Sequence, residues 1–283
     1  AQLQRLHDVQ KVLWVFNCAD WWRDKQLVEE YKKANVSYDQ SPFWRWANLR
    51  QVELADHLIA PSLFVKKTYA KHKQSTHIST VLWGVDCEKF KPTPKNNERL
   101  RVLYVGSDPI RKDLHSLLLA MNSLENIDLC VIGLSAKFHF ASSCNHTFQS
   151  FGMVPYADFP RYVQQCDVIV MPSLEDGVAC SVQEAMACGV VPIASHDPAE
   201  VFEDQTSGFT IGYHDVEGIR RNLALLQRNR TLLAAMSQSA RELALTQTWT
   251  AFREDFKAAV LVSLEGSYYE RSMPWLLNPY TPS

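Results

Sequence analysis

The residues with the most evident chemistry lie in one short stretch, VIVMPSLEDGVACSVQEAMACGVVPI, at residues 168–193. Its loop carries Asp176 and the helix that follows carries Glu184, so two carboxylates bracket one predicted helix start. The N-terminus of a helix presents unpaired N–H groups that bind anions such as phosphate. An ionised carboxylate is a good double acceptor for sugar hydroxyls. A phosphate bound by backbone and a polyol bound by carboxylates together indicate a sugar nucleotide as the ligand.

The elements that position these groups follow from the apolar pattern of the same stretch. Residues 168–171 are predicted as a buried strand, residues 179–188 as a helix, and residues 190–194 as a second strand. Gly189 follows the helix as a C-terminal cap. A strand, a helix and a strand in this order form the unit of a parallel sheet, and such sheets bind ligands at the carboxyl ends of their strands. The loop before the helix therefore lies at the ligand-binding edge.

The same alternation of strands and helices predicts an α/β fold with doubly wound parallel sheets over most of the chain. The further predicted elements are strand 11–17, helices 25–33 and 43–55, strand 57–61, helix 63–73, strand 77–82, strand 101–105, helix 112–123, strands 127–132 and 147–151, helix 158–165, strand 208–211, and helices 215–227, 230–246 and 249–264. A Pro- and charge-rich segment, KPTPKNNE at 91–98, is predicted to be a linker. We therefore divide the chain into domains 1–92 and 93–265, with an aromatic tail, 266–283, expected to dock back on the first domain.

Composition excludes several classes of protein. The 283 residues include 29 Lys and Arg against 31 Asp and Glu, so the net charge of −2 does not indicate a nucleic-acid-binding surface. No apolar run approaches the roughly 20 residues that a membrane-spanning helix needs. The 7 cysteines are scattered without a C-x-x-C pair, which favours buried reduced thiols over a disulfide framework or a zinc site. We expect a cytoplasmic protein without a signal peptide, and as an alternative a cytoplasmic protein in peripheral contact with a membrane.

The central stretch resembles the retaining family 4 glycosyltransferases of the GT-B fold. That family has a Pro-Ser pair near a strand end, then Glu-Gly-Phe-Gly, then a second Glu eight positions after the first, within Glu-Ala-Met-Ala-x-Gly. This chain has Pro172-Ser173, Asp176-Gly177-Val178-Ala179 and Glu184-Ala185-Met186-Ala187-Cys188-Gly189. Asp176 stands where the family more often has its first Glu, and the neighbouring Glu175 is an alternative for that role. Val178 and Ala179 replace the family's Phe-Gly.

Four further segments extend the resemblance over residues 53–259. VLYVGSDPIRK at 102–112 is similar to the family's strand, glycine, loop and lysine that meet the donor diphosphate, and FGMVP at 151–155 is similar to the loop that touches the base. ELADHLIAPS at 53–62 and VLWGVDCEKF at 81–90 resemble the end of the amino-terminal domain and its linker. The resemblance implies two Rossmann-like lobes in the GT-B arrangement. With 90 residues before the linker, the first lobe is expected to be incomplete.

This resemblance implies transfer of a hexose from a nucleotide diphosphate sugar to a hydroxyl acceptor, with retention of configuration. Arg111 and Lys112 would neutralise the leaving diphosphate, Glu184 would bind the ribose, and Asp176 would contact the donor sugar or stabilise positive charge at its anomeric carbon. The candidate catalytic residues are Asp176, Glu175 and Lys112. The candidate substrate-binding residues are Gly106, Arg111, Lys112, Met153, Val154, Gly177, Val178, Ala179 and Glu184.

Each candidate also has an ordinary structural interpretation. The alternatives are a helix-surface carboxylate for Glu184, an Asx turn for Asp176, a turn glycine for Gly106, and two solvated cations for Arg111 and Lys112. Cations beside the positive end of a helix dipole are unfavourable, which favours an anionic ligand near that pair. His196 and Glu200 lie at another strand end, where Asp197-Pro198 is better interpreted as a helix start.

One departure from the family pattern affects the predicted activity. The family often has a catalytic His in a His-Asp pair after a strand comparable to residues 11–17, whereas this chain has Asn17-Cys18-Ala19-Asp20. The departure leaves donor binding untouched and puts acceptor binding and turnover in question. It favours one alternative function, a non-catalytic donor-binding or scaffold subunit. Another GT-B activity on sugar nucleotides, an epimerase or a phosphorylase, is a second alternative.

The expected partners are a nucleotide sugar and a hydroxyl acceptor, which is a glycan, a lipid-linked sugar or a small molecule. No Asp-x-Asp metal signature is present, and a helix dipole with cations can replace a metal's charge, so we expect neither a metal nor a cofactor. The basic helix at 63–73 is a candidate membrane-facing surface, with a solvated face as the alternative. Trp14, Trp21, Trp22, Trp44 and Trp46 predict apolar surface on the first lobe and hence self-association.

Overall fold

The computed structural model describes residues 10–38, 41–70, 78–134, 147–195 and 201–265, which form two parallel sheets with flanking helices. The elements of the first lobe are β1 (Val12–Trp14), α1 (Asp20–Lys33), α2 (Pro42–Leu54), β2 (His57–Ala60), α3 (Leu63–Ala70) and β3 (Ile78–Thr80). Those of the second are β4 (Leu100–Val105), α4 (Leu114–Met121), β5 (Ile127–Ile132), β6 (Thr147–Ser150), α5 (Phe159–Val163), β7 (Val168–Met171), α6 (Cys180–Ala187), β8 (Val191–Ser195), β9 (Phe209–Ile211), α7 (Val216–Arg228), α8 (Arg230–Thr246) and α9 (Trp249–Glu265). The predicted α/β class is confirmed.

The strand order of the second sheet creates a ligand-binding crevice. The order is β6-β5-β4-β7-β8-β9, so the chain builds outward from β4 to one edge and then returns to β7 on the other side. β4 and β7 are parallel neighbours, with Val102 opposite Val168 and Leu103 opposite Ile169. The point at which strand order reverses is where open α/β sheets leave a crevice at the carboxyl ends of the strands. Here that point lies between the loops after β4 and after β7.

Both faces of the sheet are covered at its central strand β7, which explains why its sequence, VIVM, is a continuous apolar run rather than an alternating one. Side chains of β7 alternate between the faces: Ile169 packs in a core with α6 and α8, and Val168 packs in a core with α4 and α7. All four residues of β7 are buried. The central strands are therefore held rigidly, and the loops at their carboxyl ends are positioned by them.

The first lobe has a three-stranded parallel sheet in the order β1-β2-β3. One face packs against α2 and α3 through Val52 and Val65. The other face meets α9, the last described helix, whose Phe252 and Phe256 rings lie 5.5 Å and 5.2 Å from that of Trp14. The chain thus returns to the first lobe after completing the second. Whether the lobe is incomplete stays a prediction.

The tryptophans of the first lobe differ from the expectation. Trp14, Trp21 and Trp22 are partly buried, because Trp14 packs under α9 and Trp21 and Trp22 pack edge to face at 5.6 Å. Trp44 and Trp46 of α2 remain exposed. The prediction that all five form uncovered apolar surface is wrong for the first three, because the chain itself supplies their cover.

Element boundaries otherwise follow the predictions to within a few residues. The largest differences are α1, which begins at Asp20 rather than near 25, and β1, which ends at Trp14 rather than at 17; α4 begins at Leu114 rather than at 112. Asp113 delays α4 because it adopts a left-handed φ of 43° and accepts a hydrogen bond from the Ser116 amide as the cap. The expected tail docking of 266–283 and the pair His196 and Glu200 lie outside the described residues.

No helix within the described part of the chain is long and apolar enough to span a membrane.

Candidate functional site

Two glycines form the floor of the crevice between the loops. Gly106 directly follows β4, and a Cβ there would lie 2.9 Å from Lys112 Cγ, so any side chain would collide with the lysine. Gly133 follows β5 with a φ of +98°, and a Cβ on it would lie 3.0 Å from the Gly106 carbonyl carbon. The backbones of neighbouring strands therefore approach each other without intervening side chains. This leaves open space above them.

That space is a crevice with a volume of about 260 Å³. Four of the predicted substrate-binding residues line it, namely Gly106, Met153, Val154 and Glu184. Tyr156, which was not among the predicted residues, lines it as well. The structure thus brings together the loop after β4, the segment 152–156 and the first turns of α6, although they are up to 78 positions apart in the sequence.

Glu184 lies one turn into α6 and faces this crevice. Its Oε1 accepts a hydrogen bond of 2.8 Å from the Tyr156 hydroxyl. Burial raises the pKa of Glu184 to about 7, while the Tyr156 hydrogen bond and the Lys89 charge act in the opposite direction. Glu184 is half-buried and lines the crevice, and its role in ligand binding stays a prediction.

The N-terminus of α6 is not capped by a side chain. Its N-cap residue is Ala179, which offers no acceptor, and Ser181 of the first turn lines the crevice. Helix starts of this kind usually have Ser, Thr, Asp or Asn to satisfy the first amides. The amide end of α6 is therefore suited to an anionic group.

A cluster of two cations and two carboxylates lies beside the crevice. Lys112 Nζ forms an ion pair with Asp176 Oδ2. Arg111 Nη1 lies 3.3 Å from Glu175 Oε2 and donates to the Glu175 carbonyl at 3.3 Å. Burial lowers the pKa of Arg111, but Asp176 and Glu175 raise it by more, so the guanidinium remains charged.

These ion pairs change how the cations are interpreted. The argument from the helix dipole required an anionic ligand to neutralise Arg111 and Lys112, but Glu175 and Asp176 already do so. Both carboxylates and Lys112 are buried, so Lys112 is not a solvated cation, whereas the Arg111 side chain remains 29% exposed. The two ion pairs thus link the loop after β4 to the loop after β7. A diphosphate bound here would have to share these cations with the carboxylates that already pair with them.

The loop after β7 also forms the contact between the lobes. A Cβ on Gly177 would lie 2.3 Å from the Phe16 carbonyl oxygen, so only glycine permits this approach of the two backbones. The hydroxyl of Ser62 donates to the Gly177 carbonyl at 2.9 Å. Val178 and Ala179 have buried side chains in the hydrophobic core, so any contact they make with a ligand would be through the backbone.

Cys18 lies in the segment after β1, 17–20, where the sequence has no histidine. It is buried, and its thiol donates to Glu175 Oε1 at 3.1 Å. The first lobe therefore contacts the carboxylate cluster directly through a thiol rather than an imidazole.

A second contact between the lobes involves α1, and no sequence pattern indicated it. The Tyr31 hydroxyl bonds to Asp108 of the loop after β4. His214 lies between carboxylates of both lobes, with Nδ1 3.0 Å from Asp113 Oδ2 and Nε2 3.7 Å from Glu30 Oε1. These contacts hold the end of α1 against the rim of the site.

Metal-binding groups are not evident in the part of the chain that the structure describes. No group of three or more His, Cys, Asp or Glu side chains there could hold a metal ion. The six cysteines within it are free thiols, and five of them are buried.

Comparison with known proteins supports the fold. The sulfoquinovosyl transferase SQD2 of Arabidopsis thaliana is 25% identical over 244 residues, which cover 76% of this chain and 47% of that protein. The chain thus spans about half the length of this relative. Sucrose-phosphate synthase from Thermosynechococcus elongatus superposes with a TM-score of 0.73 at 18% identity, over 97% of this chain and 70% of that one.

A third protein, HepE from Anabaena, was solved in complex with UDP-glucose. It superposes with a TM-score of 0.66 at 16% identity, over 76% of this chain and 68% of that chain. These superpositions show the GT-B arrangement of two parallel-sheet lobes. The model of the family described as glycosyl transferases group 1 matches residues 86–243, which is more than half of the chain, and the chain therefore belongs to that family.

Proposed function

We propose that this chain belongs to a retaining family 4 glycosyltransferase that transfers a hexose from a nucleotide diphosphate sugar to a hydroxyl acceptor. The observation that carries the proposal is the juxtaposition at one sheet edge of a crevice containing Glu184 and a cluster containing Lys112 and Asp176. A crevice for a nucleoside and charges for a diphosphate, side by side, match the two halves of such a donor. Family membership and the UDP-glucose complex of HepE support the same donor class.

The nucleoside occupies the crevice in this proposal. A volume of about 260 Å³ lies at the small end of ligand pockets and suits a nucleoside rather than a whole sugar nucleotide. The base lies against Met153 and Val154, and the ribose hydroxyls donate to Glu184. The carboxylate has one oxygen engaged by Tyr156, which leaves the other for the ribose.

The diphosphate lies between the start of α6 and the two cations. As the bond between the anomeric carbon and the phosphate oxygen breaks, negative charge accumulates on the diphosphate and positive charge on the sugar. Arg111 and Lys112 stabilise the first, and Asp176 is close enough to stabilise the second, because it is in contact with Lys112. If Lys112 exchanged Asp176 for a phosphate oxygen of the donor, the Asp176 carboxylate would be free to contact the sugar.

Catalysis in this proposal needs no metal or cofactor, because the cations and the helix dipole supply the positive charge. Chelation tests this directly. Donor binding and turnover should be unchanged in excess EDTA, and a loss restored by Mg²⁺ or Mn²⁺ would contradict the proposal.

The experiment for the proposed function is donor titration followed by product analysis. UDP-glucose, GDP-glucose and ADP-glucose are titrated calorimetrically against the protein and against Glu184→Gln, with Glu203→Gln as the control at an exposed carboxylate. At least one donor should bind, and only Glu184→Gln should weaken it. Proton NMR of the product should then show the donor's anomeric configuration. Absence of binding by all three donors, or inversion in the product, would refute the corresponding part.

One observation favours the non-catalytic alternative, a donor-binding or scaffold subunit. The segment 17–20, which by the family resemblance should contain a catalytic histidine, has none, and its Cys18 contacts Glu175 of the site instead. The two functions differ in a donor-consumption assay. Tight donor binding without consumption in the presence of glycan, lipid-linked and small hydroxyl acceptors supports the subunit. An epimerase or phosphorylase would be recognised by conversion of the donor alone or with inorganic phosphate.

A further inference from the structure

Two segments of the chain, one with Tyr156 and one with Lys89 and Phe90, converge on Glu184 at the mouth of the crevice. Tyr156, two residues beyond Val154, donates its hydroxyl to Glu184 Oε1 at 2.8 Å. Lys89, from the segment that joins the lobes, places its ammonium 3.4 Å from the centre of the Tyr156 ring. The ring of Phe90 lies 5.9 Å from the same ring. The phenol is therefore fixed from two sides although it is largely exposed to solvent.

The hydrogen bond determines the orientation of the carboxylate. A carboxylate at the start of a helix has several rotamers, and only some direct an oxygen into the crevice. With Oε1 engaged by a donor outside the ligand, Oε2 is available for the hydroxyls of a ribose. An ammonium over a tyrosine face is attracted to the ring, which holds the phenol over Glu184. Lys89 thus acts on Glu184 both through the phenol and through its own charge.

We propose that Tyr156 and Lys89 are positioning residues that orient the Glu184 carboxylate and keep it ionised for nucleotide-sugar binding. This inference rests on the proposed function of the crevice. It assigns a role to two residues that lie outside the family motif at 176–189.

The ionisation state of Glu184 makes the inference measurable. Burial raises its pKa to about 7, against an ordinary value of 4.5, and both Tyr156 and Lys89 counteract this rise. The other titratable groups near the pair are Cys180, Cys188 and Asp86. Burial raises the pKa of each of these two thiols to about 12, so they remain neutral through the physiological range. A ribose hydroxyl is accepted best by the ionised carboxylate, so nucleotide-sugar affinity should fall as pH falls through 7.

The test compares the pH profiles of five variants, of which Glu184→Gln removes the titrating carboxylate itself. Tyr156→Phe removes only the hydroxyl, Lys89→Met removes only the charge, and Lys89→Arg retains it. Tyr162→Phe is the matched control, a phenol of α5 that packs on Phe151 outside the crevice. The probe is whichever of UDP-glucose, GDP-glucose and ADP-glucose binds the wild type, because a nucleotide sugar lacks the terminal phosphate that titrates near pH 6. Affinity is measured from pH 5.5 to 8.5, with melting temperature recorded for each variant.

Without the phenol donor or the ammonium, the carboxylate is harder to ionise. We expect Tyr156→Phe and Lys89→Met to move the midpoint of the profile upward by roughly 0.5–1 pH unit. Affinity at pH 7 should fall roughly 3- to 10-fold, the scale of one hydrogen bond, and the loss should shrink towards pH 8.5. Lys89→Arg and Tyr162→Phe should keep the wild-type midpoint. Glu184→Gln should give a profile without this transition.

Two results would overturn the inference and leave the proposed function standing. One is a Tyr156→Phe variant with the wild-type affinity and midpoint. The other is an equal loss at every pH with an unshifted midpoint, which would mean that Tyr156 only fills space. Failure of the proposed function looks different: the wild type binds none of the three nucleotide sugars, or Glu184→Gln binds them as well as the wild type does.

Discussion

Replacement of Lys112 by alanine should weaken donor binding and destabilise the protein through one and the same side chain. Lys112 and Asp176 form an ion pair in which the side chains are only 11% and 9% exposed. In the proposed complex the ammonium also contacts the diphosphate, and a charge-assisted hydrogen bond is worth about 1.5–3 kcal/mol. Since about 1.4 kcal/mol is tenfold in affinity, Kd for the nucleotide sugar should rise roughly 10- to 150-fold. The nucleoside, which has no phosphate, should lose much less.

The same substitution leaves Asp176 buried without its cation. Removal of one partner of a buried ion pair costs about 3–5 kcal/mol, because the remaining charge is uncompensated. At roughly 2–4 °C per kcal/mol, the melting temperature should fall by about 6 °C or more. The double variant with Asp176→Ala removes both charges and should recover most of this loss. Its donor affinity should stay low, because the cation is still missing.

Calorimetric titration of the nucleotide sugar and of the free nucleoside, with thermal melts of all variants, checks both effects. Lys67→Ala is the control, since Lys67 is an exposed lysine on α3 of the other lobe. Wild-type donor affinity in Lys112→Ala would remove the lysine from the donor site and refute the proposed diphosphate position. If the double variant recovers donor affinity together with stability, the single variant's loss comes from misfolding rather than from a lost contact.

Three other variants test the site, the lobe contact and the surface of the first lobe. Glu184→Gln should abolish most donor affinity but should not lower stability at neutral pH. Burial raises the pKa of Glu184 above its value in the unfolded chain. The free energy of unfolding of the wild type, relative to that of this variant, should therefore fall as pH rises from about 4.5 to 7. Urea titrations showing no such trend would contradict this. Gly177→Ala should lower the free energy of unfolding by about 1–3 kcal/mol through overpacking. The control Gly212→Ala, whose Cβ would have its nearest neighbour at 3.7 Å, should have a mild effect. Equal melting temperatures of the two variants would disprove the close approach at Gly177. Trp44 and Trp46 are 63% and 60% exposed. Light scattering should therefore show self-association of the wild type, and replacement of both tryptophans by serine should reduce it. A monomeric wild type would contradict this prediction.

Local apolar patterns predicted most of the fold. Residues 168–171 and 190–194 are unbroken apolar runs, because strands of a parallel sheet covered on both faces have no polar side. Helices with a polar face, such as 216–228, were predicted from their periodicity to within a residue. The start of α4 was missed because the left-handed conformation and capping bond of Asp113 are not visible in a hydrophobic pattern.

The candidate site was predicted in its membership but not in its interactions. The strand, loop and helix pattern placed Glu184 at the carboxyl edge of the sheet. The family resemblance of their segments implied that Gly106 and Met153 would join it. No sequence pattern predicted the hydrogen bond from Tyr156 to Glu184. A tyrosine after Val-Pro has many rotamers, and only the packed structure directs its hydroxyl to a carboxylate 28 positions away.

The sequence alone determined the α/β class, the order of the elements and the loop in which the charged residues stand, because these depend on periodicity and turn chemistry over a few neighbouring residues. Only the tertiary structure decided which charges meet. Cys18 reaches Glu175 across 157 positions, and Lys112 reaches Asp176 across 64. Ion pairs and hydrogen bonds act over a few ångströms, so they depend on how the two loops and the two lobes pack. The result is a lysine paired with a buried carboxylate of the chain itself, where the sequence had indicated an anionic ligand as its partner, or solvent.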